Sequence, residues 1–574
     1  MTVCKGISVC SGCALASCRI LPKLPRFDLH ERTAAPAEQS MQAVRRAMEE
    51  FRADITGAAA AHTDGTACEA LAEVQLAMME DECFLEGIEA ALKAGYTPQA
   101  SVLQAALQQE QMLRELNDVY MSARAEDVHD LGMRLACRLV GASYPSLVGL
   151  TDDCIVVAHD LLPSMLMTAA LEHVRGIAVE TSTRTSHASI LASGLEIPTV
   201  VACGGATSAE SGEPVFLDAD AGTFSCALSE SEQVSAVEKE RAWQTERTQL
   251  QQYIDTQPLT EDGVRIEVHA NIVEPMVLER ALGRGIDGVG LFRTEFLYMN
   301  RAKLPSEEEQ YHIYSYAARK LNGLPLTIRT MDIGGDKKVD YLDLPQEENP
   351  FLGYRAIRIC LDRPEIFLPQ LRAILRAGAD GTVLIMFPMI AQRSELIAAR
   401  AALEQAKAQL REAGIPYGVE TKIGIMVEIP SAVLLLEQMA GLVDFVSIGS
   451  NDLTQYTYAA DRMNSRIASL CDFLDPAVLC LISHTIAVSD AHGIACSLCG
   501  EMAGDGLGLA ALAALGIHKL SVSPSKVLKT KKRLTMLNAA GLQAAAKEIL
   551  RAGDSGEVRR ILQSHLPKGY PIEP

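Results

Sequence analysis

Leu326-Thr327-Ile328-Arg329-Thr330-Met331-Asp332, followed at once by Ile333-Gly334-Gly335-Asp336-Lys337, sets the architecture of this chain. Residues 326–332 read as a strand that runs out into glycines and charge. Seven other segments read the same way: 266–271, 288–296, 383–390, 423–429, 445–450, 495–499 and 520–522. Helical patterns separate most of them. Eight β/α alternations over roughly 310 residues predict a (β/α)8 TIM barrel, whose functional groups gather at the C-terminal ends of the strands.

Those ends carry compatible chemistry. Arg293, Arg329, Lys337, Arg355 and Arg462 are cations expected on one face. Arginine forks hold carboxylate and phosphate oxygens by paired hydrogen bonds. Glu428 and Asp452 close neighbouring strands. A few carboxylates completed by substrate oxygens is how Mg²⁺ is usually bound. Any one of these residues alone reads better as half of a surface ion pair. Polar groups of matching chemistry at five strand ends point instead to a small, doubly anionic substrate and a metal.

The N-terminal half is built differently. Residues 5–20 predict one or two short strands, and 39–60, 67–94, 98–123 and 127–139 have helical periodicity. Strand-like runs return at 146–150, 154–158, 176–179, 199–201 and 215–217. A helical block therefore interrupts an α/β domain. Within the second part lies Thr183-Arg184-Thr185-Ser186-His187-Ala188-Ser189, between a strand at 176–180 and a helix at 188–193. The unpaired N–H groups of a helix start suit an anion such as a phosphoryl group, which His187 is well placed to carry; taken alone, a Ser-His at a helix start reads more simply as a cap beside a histidine. The charged stretch 229–253 reads as an exposed connecting helix. The expected division is 1–25 and 141–227 for the α/β phosphohistidine domain, 26–140 for the helical insert, 228–257 for the linker helix and 258–574 for the barrel.

Composition narrows the function further. The net charge is −21 with no Lys/Arg block, which argues against nucleic acid and against an anionic membrane surface. No stretch approaches the length of an apolar membrane span. The apolar patch at 7–16 is too broken for a signal peptide, so the expected location is the cytoplasm. Fifteen cysteines in so long a chain do not make a disulfide framework. The spacings Cys10/Cys13 and Cys496/Cys499 lack the second ligand pair a zinc site needs.

Several runs resemble enzyme I of the phosphoenolpyruvate:sugar phosphotransferase system. They are Gly290-Leu291-Phe292-Arg293-Thr294-Glu295-Phe296-Leu297, the run from Ile328 to Lys337, and Glu348-Asn349-Pro350-Phe351-Leu352-Gly353-Tyr354-Arg355-Ala356. Further on come Gly424 to Ser431, Ser447 to Tyr456, and Cys499-Gly500-Glu501-Met502-Ala503-Gly504; Arg124 to Gly132, Ala158 to Ser164 and Arg184 to His187 extend the likeness N-terminally. The resemblance implies a Mg²⁺-dependent transfer from phosphoenolpyruvate (PEP) to His187, then to a histidine of the carrier protein HPr. On that pattern Arg293, Arg329, Lys337, Arg355, Asn451 and Arg462 hold PEP, Glu428 and Asp452 hold the metal, and Cys499 protonates the enolate carbon to give pyruvate. The helical insert would dock HPr and the barrel would form a homodimer. The chain departs from the pattern at Ser182-Thr183, where the family has Gly-Gly, at Glu180, where it has Asp, and at Gln75, where a histidine often precedes the acidic pair Glu80-Asp81. Dikinases of related domain order need a nucleotide-grasp domain that 574 residues do not accommodate. The alternative is a regulatory paralogue that binds PEP and a carrier with little turnover.

Overall fold

The computed structural model describes the chain except residues 24, 62–75, 77, 80, 116–118, 143, 145–146, 148–149, 162–164, 166–170, 183–188, 190–191, 193–194, 196, 274–275, 300–302, 336–338, 463, 465 and 573–574. It forms two compact units, Met1–Arg247 and Thr248–Pro574.

The first unit is organised by an eight-stranded sheet. Its strands are β1 (Thr2–Lys5), β2 (Ile7–Cys10), β3 (Cys13–Ile20), β4 (Cys154–Ala158), β5 (Val174–Val179), β6 (Thr199–Val201), β7 (Pro214–Asp218) and β8 (Thr223–Cys226), in the order β1-β8-β7-β3-β4-β5-β6-β2. The parallel centre β3-β4-β5-β6 explains why Cys-Ile-Val-Val-Ala reads as a continuous apolar run. Cys154, Val156 and Ala158 enter one core and Ile155 and Val157 the other, so β4 is covered on both faces.

Between the adjacent strands β3 and β4 the chain makes a long helical excursion. Helices Ala37–Ala61, Glu82–Lys93, Pro98–Glu115 and Val119–Leu139 enclose their own core, which includes Val44, Phe51, Phe84, Ile88, Val102, Leu131 and Leu135. Asp81 caps the second of them by accepting from Phe84 N–H at 3.1 Å. The expected single helix over 98–123 is two, and the second continues through the one expected at 127–139. The expected strand at 146–150 is not formed by its described residues. Leu147 is fully buried, so the apolar character there reflects core packing and not sheet pairing. β8 was not expected, because Thr-Phe-Ser-Cys, though it alternates polar and apolar residues, is too short for its period to stand out; its pairing with β7 and β1 makes it a strand. The charged segment is helical from Glu230 to Leu250.

The second unit is a closed parallel barrel. Its strands are β9 (Glu267–Ile272), β10 (Val289–Phe292), β11 (Leu326–Arg329), β12 (Val383–Phe387), β13 (Lys422–Val427), β14 (Phe445–Ile448), β15 (Ala495–Leu498) and β16 (Lys519–Val522), with β16 pairing back onto β9. Val268, Ala270, Ile272, Ile328, Ile385, Ile425, Val427, Val446 and Ile448 enter the large core shared with the surrounding helices. The alternate set, Leu291, Leu384, Met386, Met426, Phe445 and Cys499, forms a second core inside the barrel. Strand period thus aims the residues just past the strand ends toward the barrel axis.

Most expected strands run on too far at this end. β10 stops at Phe292, β11 at Arg329, β12 at Phe387 and β13 at Val427. The apolar residues beyond them are buried in loops: Met389 and Ile390 are nearly inaccessible, and Met389 has a φ of 57°, which a strand cannot contain. No described helix is long and apolar enough to cross a membrane.

Candidate active site

Two buried arginines anchor the C-terminal end of the barrel. Arg329 is the last residue of β11, and its Nη2 lies 2.5 Å from Glu295 Oε1 and 3.0 Å from Asp332 Oδ2. Arg355 donates to Asp332 Oδ1 through Nη2 at 2.8 Å and Nε at 3.2 Å, and through Nη1 to Tyr456 Oη at 3.1 Å. Asp332 therefore bridges the two guanidiniums. Burial opposes charge on both arginines, but Glu295 and Asp332 outweigh it for Arg329, and Asp332 with other nearby acidic groups for Arg355; both stay protonated. Gly334 makes the loop possible: its φ is 109°, and an added Cβ would meet Arg355 Cβ at 2.5 Å.

A pair of carboxylates sits near them. Glu428 directly follows β13 and is 1% exposed; Oε1 accepts from Met389 N–H at 2.7 Å. Asp452 lies in the first turn of the helix Ser450–Tyr458, with Arg462 Nη2 at 3.6 Å from Oδ1. Among the described residues, Glu428 Oε2, Asp452 Oδ1, Ser450 Oγ, Arg329 Nε and Arg462 Nη1 are buried without a hydrogen-bond partner. Each such orphan costs about 1–3 kcal/mol, so their clustering at strand ends marks a place where ligand atoms belong. Burial pushes the Glu428 carboxyl well up, and repulsion from Asp452 and Asp332 adds to it against the pull of Arg329 and Arg355. Two hard oxygens without hydrogen-bond partners, on carboxylates that repel each other, fit a divalent cation.

Cys499 directly follows β15 and is 6% exposed. Its sulfur accepts from Ser447 Oγ–H at 3.1 Å and faces Ile448 O at 3.6 Å. Burial raises the thiol's pKa; donation by Ser447 and the charges of Arg329 and Arg293 pull it down, and Glu428 pushes it up. The thiol therefore keeps its proton at neutral pH. The next residue, Gly500, lets the chain pass close to Ser450, whose Oγ a Cβ there would displace.

Of the residues expected from sequence, the barrel places Arg293, Arg329, Glu428, Asn451, Asp452 and Cys499 at or just beyond the C-terminal ends of its strands, and Arg355 and Arg462 come from further along the loops to meet Asp332 and Asp452. Arg293 follows β10 with its N–H on Ile272 O at 2.9 Å, and Asn451 Oδ1 accepts from Glu501 N–H at 3.1 Å. Lys337, His187, and all but Ser189 and Ala192 of the helix expected at 188–193 lie outside the described residues. Glu295, Asp332, Tyr456 and Ser447 were given no role by sequence. The acidic pair could have been suspected, because buried arginines need counter-charge.

In the first unit, Glu180 fastens the strand that leads toward His187. Its Oε2 is 2.8 Å from His159 Nδ1, and Oε1 accepts from Thr207 N–H at 3.1 Å and Thr207 Oγ1–H at 2.6 Å. Ser182 is buried and is not among the residues with positive φ, so that position does not demand glycine. Thr183 lies outside the described residues. Cys13, Asp218 and Asp220 also converge, but Lys239 Nζ already pairs with Asp218 and supplies the positive charge.

An α/β domain followed in the chain by a barrel whose mouth leaves cationic donors and carboxylate oxygens open to a small anion and a metal fits the class of PEP-utilising enzymes. Family models agree: "PEP-utilising enzyme, PEP-binding domain" matches residues 247–539, "mobile domain" 150–222 and "N-terminal" 5–124. Three curated relatives bear the name phosphoenolpyruvate-protein phosphotransferase. The protein of Staphylococcus carnosus is 35% identical over 98% of both chains, that of Mycoplasma pneumoniae 38% over 98% of both, and that of Geobacillus stearothermophilus 37% over 96% of both. This chain belongs to the phosphoenolpyruvate-protein phosphotransferase family, enzyme I of the phosphotransferase system.

Proposed function

We propose that this enzyme moves the phosphoryl group of PEP onto its own His187 and then onto a histidine of an HPr-like carrier, releasing pyruvate. This is the first step of the sugar phosphotransferase system. The observation that carries the reading is the set of unpartnered buried groups at the barrel mouth, Arg329 Nε and Arg462 Nη1 beside Glu428 Oε2 and Asp452 Oδ1. Donors and acceptors left open together suit an anion bound through a metal.

Arg293, Arg329, Lys337, Arg355, Asn451 and Arg462 bind the phosphate and carboxylate of PEP, with the two buried arginines held rigid by Glu295 and Asp332. Glu428 and Asp452 hold Mg²⁺, which when bound offsets negative charge on the phosphoryl oxygens. A ring nitrogen of His187 forms the new bond to phosphorus as the phosphorus–oxygen bond to the enol breaks. The enolate collapses to a ketone while its methylene carbon takes the proton of Cys499, giving pyruvate and a thiolate. Arginine and lysine charge counters the negative charge that spreads over the leaving oxygen. The helical insert docks the carrier, the barrel forms a homodimer, and the enzyme works in the cytoplasm.

The test is incubation of the whole protein with labelled PEP, Mg²⁺ and purified HPr. Label on HPr with matching pyruvate is expected. Binding of PEP without either product would instead make the chain a regulatory paralogue.

A further inference from the structure

The interior of the barrel contains a hydroxyl that the scheme above does not use. Ser447 lies on β14, 1% exposed. The inner core to which Cys499 belongs is otherwise Leu291, Met386, Met426 and Phe445, with Leu384 against it. Apolar side chains fill such layers in barrels of this kind, and a hydroxyl among thioethers costs free energy unless it is bonded. The Ser447 hydroxyl donates to Cys499 Sγ at 3.1 Å. The neighbouring strands fix this meeting, since Ser447 is in register with Ser497 and Cys499 N–H donates to Ile448 O at 2.9 Å.

We propose that Ser447 is a positioning residue for the proton transfer, holding the Cys499 thiol in place and bearing the thiolate once the proton has left. The inference rests on the reading that Cys499 protonates the enolate. In that step the S–H bond breaks, the methylene carbon gains the proton, the carbon–carbon π pair forms the new C–H bond, and sulfur keeps its electron pair. Ser447 keeps its own proton throughout. Hydrogen bonds to ionised acceptors are roughly twice as strong as neutral ones, so this bond tightens as the proton departs. It therefore favours the transition state over the ground state, which raises turnover and not substrate affinity. The thiol donates meanwhile to Ile448 O at 3.6 Å, a contact weak enough to be given up for substrate. Among the described residues the charged groups acting on the sulfur are Arg329 from β11, Arg293 after β10 and Glu428 after β13, the last opposing the other two. Ser447 adds a donor to this set without adding charge.

The experiment compares the wild-type chain with Ser447→Ala, Ser447→Thr and Cys499→Ala, each with PEP, Mg²⁺ and HPr. For Ser447→Ala, kcat for pyruvate formation should fall about 10- to 100-fold, the value of a hydrogen bond to a charged group, with KM for PEP unchanged within about two-fold. The solvent deuterium isotope effect on kcat should rise, because protonation becomes the slow step. Ser447→Thr retains the hydroxyl and should recover most of the rate. An Ala variant with wild-type turnover, or one slowed with no change in isotope effect, overturns the proposal. Cys499→Ala separates the two levels of failure: full pyruvate formation there would remove the parent reading, whereas an inactive Cys499→Ala beside a fully active Ser447→Ala would remove this inference alone.

Discussion

Replacing Asp332 by asparagine tests whether the barrel mouth is held together by charge that a substrate later shares. Asp332 is 2% exposed and is the sole carboxylate that reaches both buried guanidiniums, at 3.0 Å from Arg329 and 2.8 Å from Arg355, among the described residues. Asparagine preserves the shape and removes the charge. Arg329 then keeps Glu295 at 2.5 Å, while Arg355 loses its carboxylate partner and is left to the more distant charges of Asp452 and Glu428. Breaking a buried pair by removing one partner costs about 3–5 kcal/mol. For a unit of this size that lowers the melting temperature by about 5–15 °C. An anion in the mouth restores the missing charge, so PEP should raise the melting temperature of Asp332→Asn by several degrees more than that of the wild type. The assay is calorimetric unfolding with and without PEP in the absence of carrier. A variant that melts within about 2 °C of wild type, or gains no more from PEP, would refute the argument that Asp332 is the counter-charge.

Cys499→Ala should lower pyruvate formation by orders of magnitude and leave PEP affinity nearly unchanged, because the thiol acts on carbon and not on the anionic groups; titration calorimetry beside steady-state kinetics checks the split. Glu428→Ala and Asp452→Ala should each abolish turnover, and wild-type turnover should vanish in excess chelator and return with Mg²⁺. Persistence of activity in chelator would show that no metal is held there. The Glu180 carboxyl is held down at about 2: burial raises it, and hydrogen bonds from His159 and Thr207 more than reverse that. A folded value below the unfolded one stabilises above the unfolded value and is lost as pH falls, here between about 4.5 and about 2. The stability difference between wild type and Glu180→Gln, measured by denaturant unfolding, should therefore be steady above about pH 5 and shrink below it. A difference that does not change with pH would detach Glu180 from the bonds described.

The barrel was legible because each strand must put one set of residues into the helical layer and the other inside. Val268, Ala270 and Ile272 and their counterparts made that pattern strong. The strand ends were not legible: Met389 and Ile390 are as apolar as any strand residue, and only the left-handed turn at Met389 shows that the chain has already left the sheet. β8 escaped notice because four residues are too few for the alternation that puts Phe224 and Cys226 into one core to stand out, and its pairing partners β7 and β1 are not visible in sequence. The charged site residues stood out one by one, but their pairing did not. Glu295 meets Arg329 across 34 positions of sequence, and Ser447 meets Cys499 across 52. A strand serine has no message until the fold sets a thiol beside it.

The central claim is that the phosphoryl group passes through His187, and a single-turnover measurement without carrier addresses it most directly. Wild-type chain mixed with labelled PEP and Mg²⁺ should release a burst of pyruvate equal to the acid-labile label on the peptide containing His187, and His187→Ala should bind PEP but give neither. A burst of pyruvate from His187→Ala, or label of wild-type amount on another residue, would contradict it.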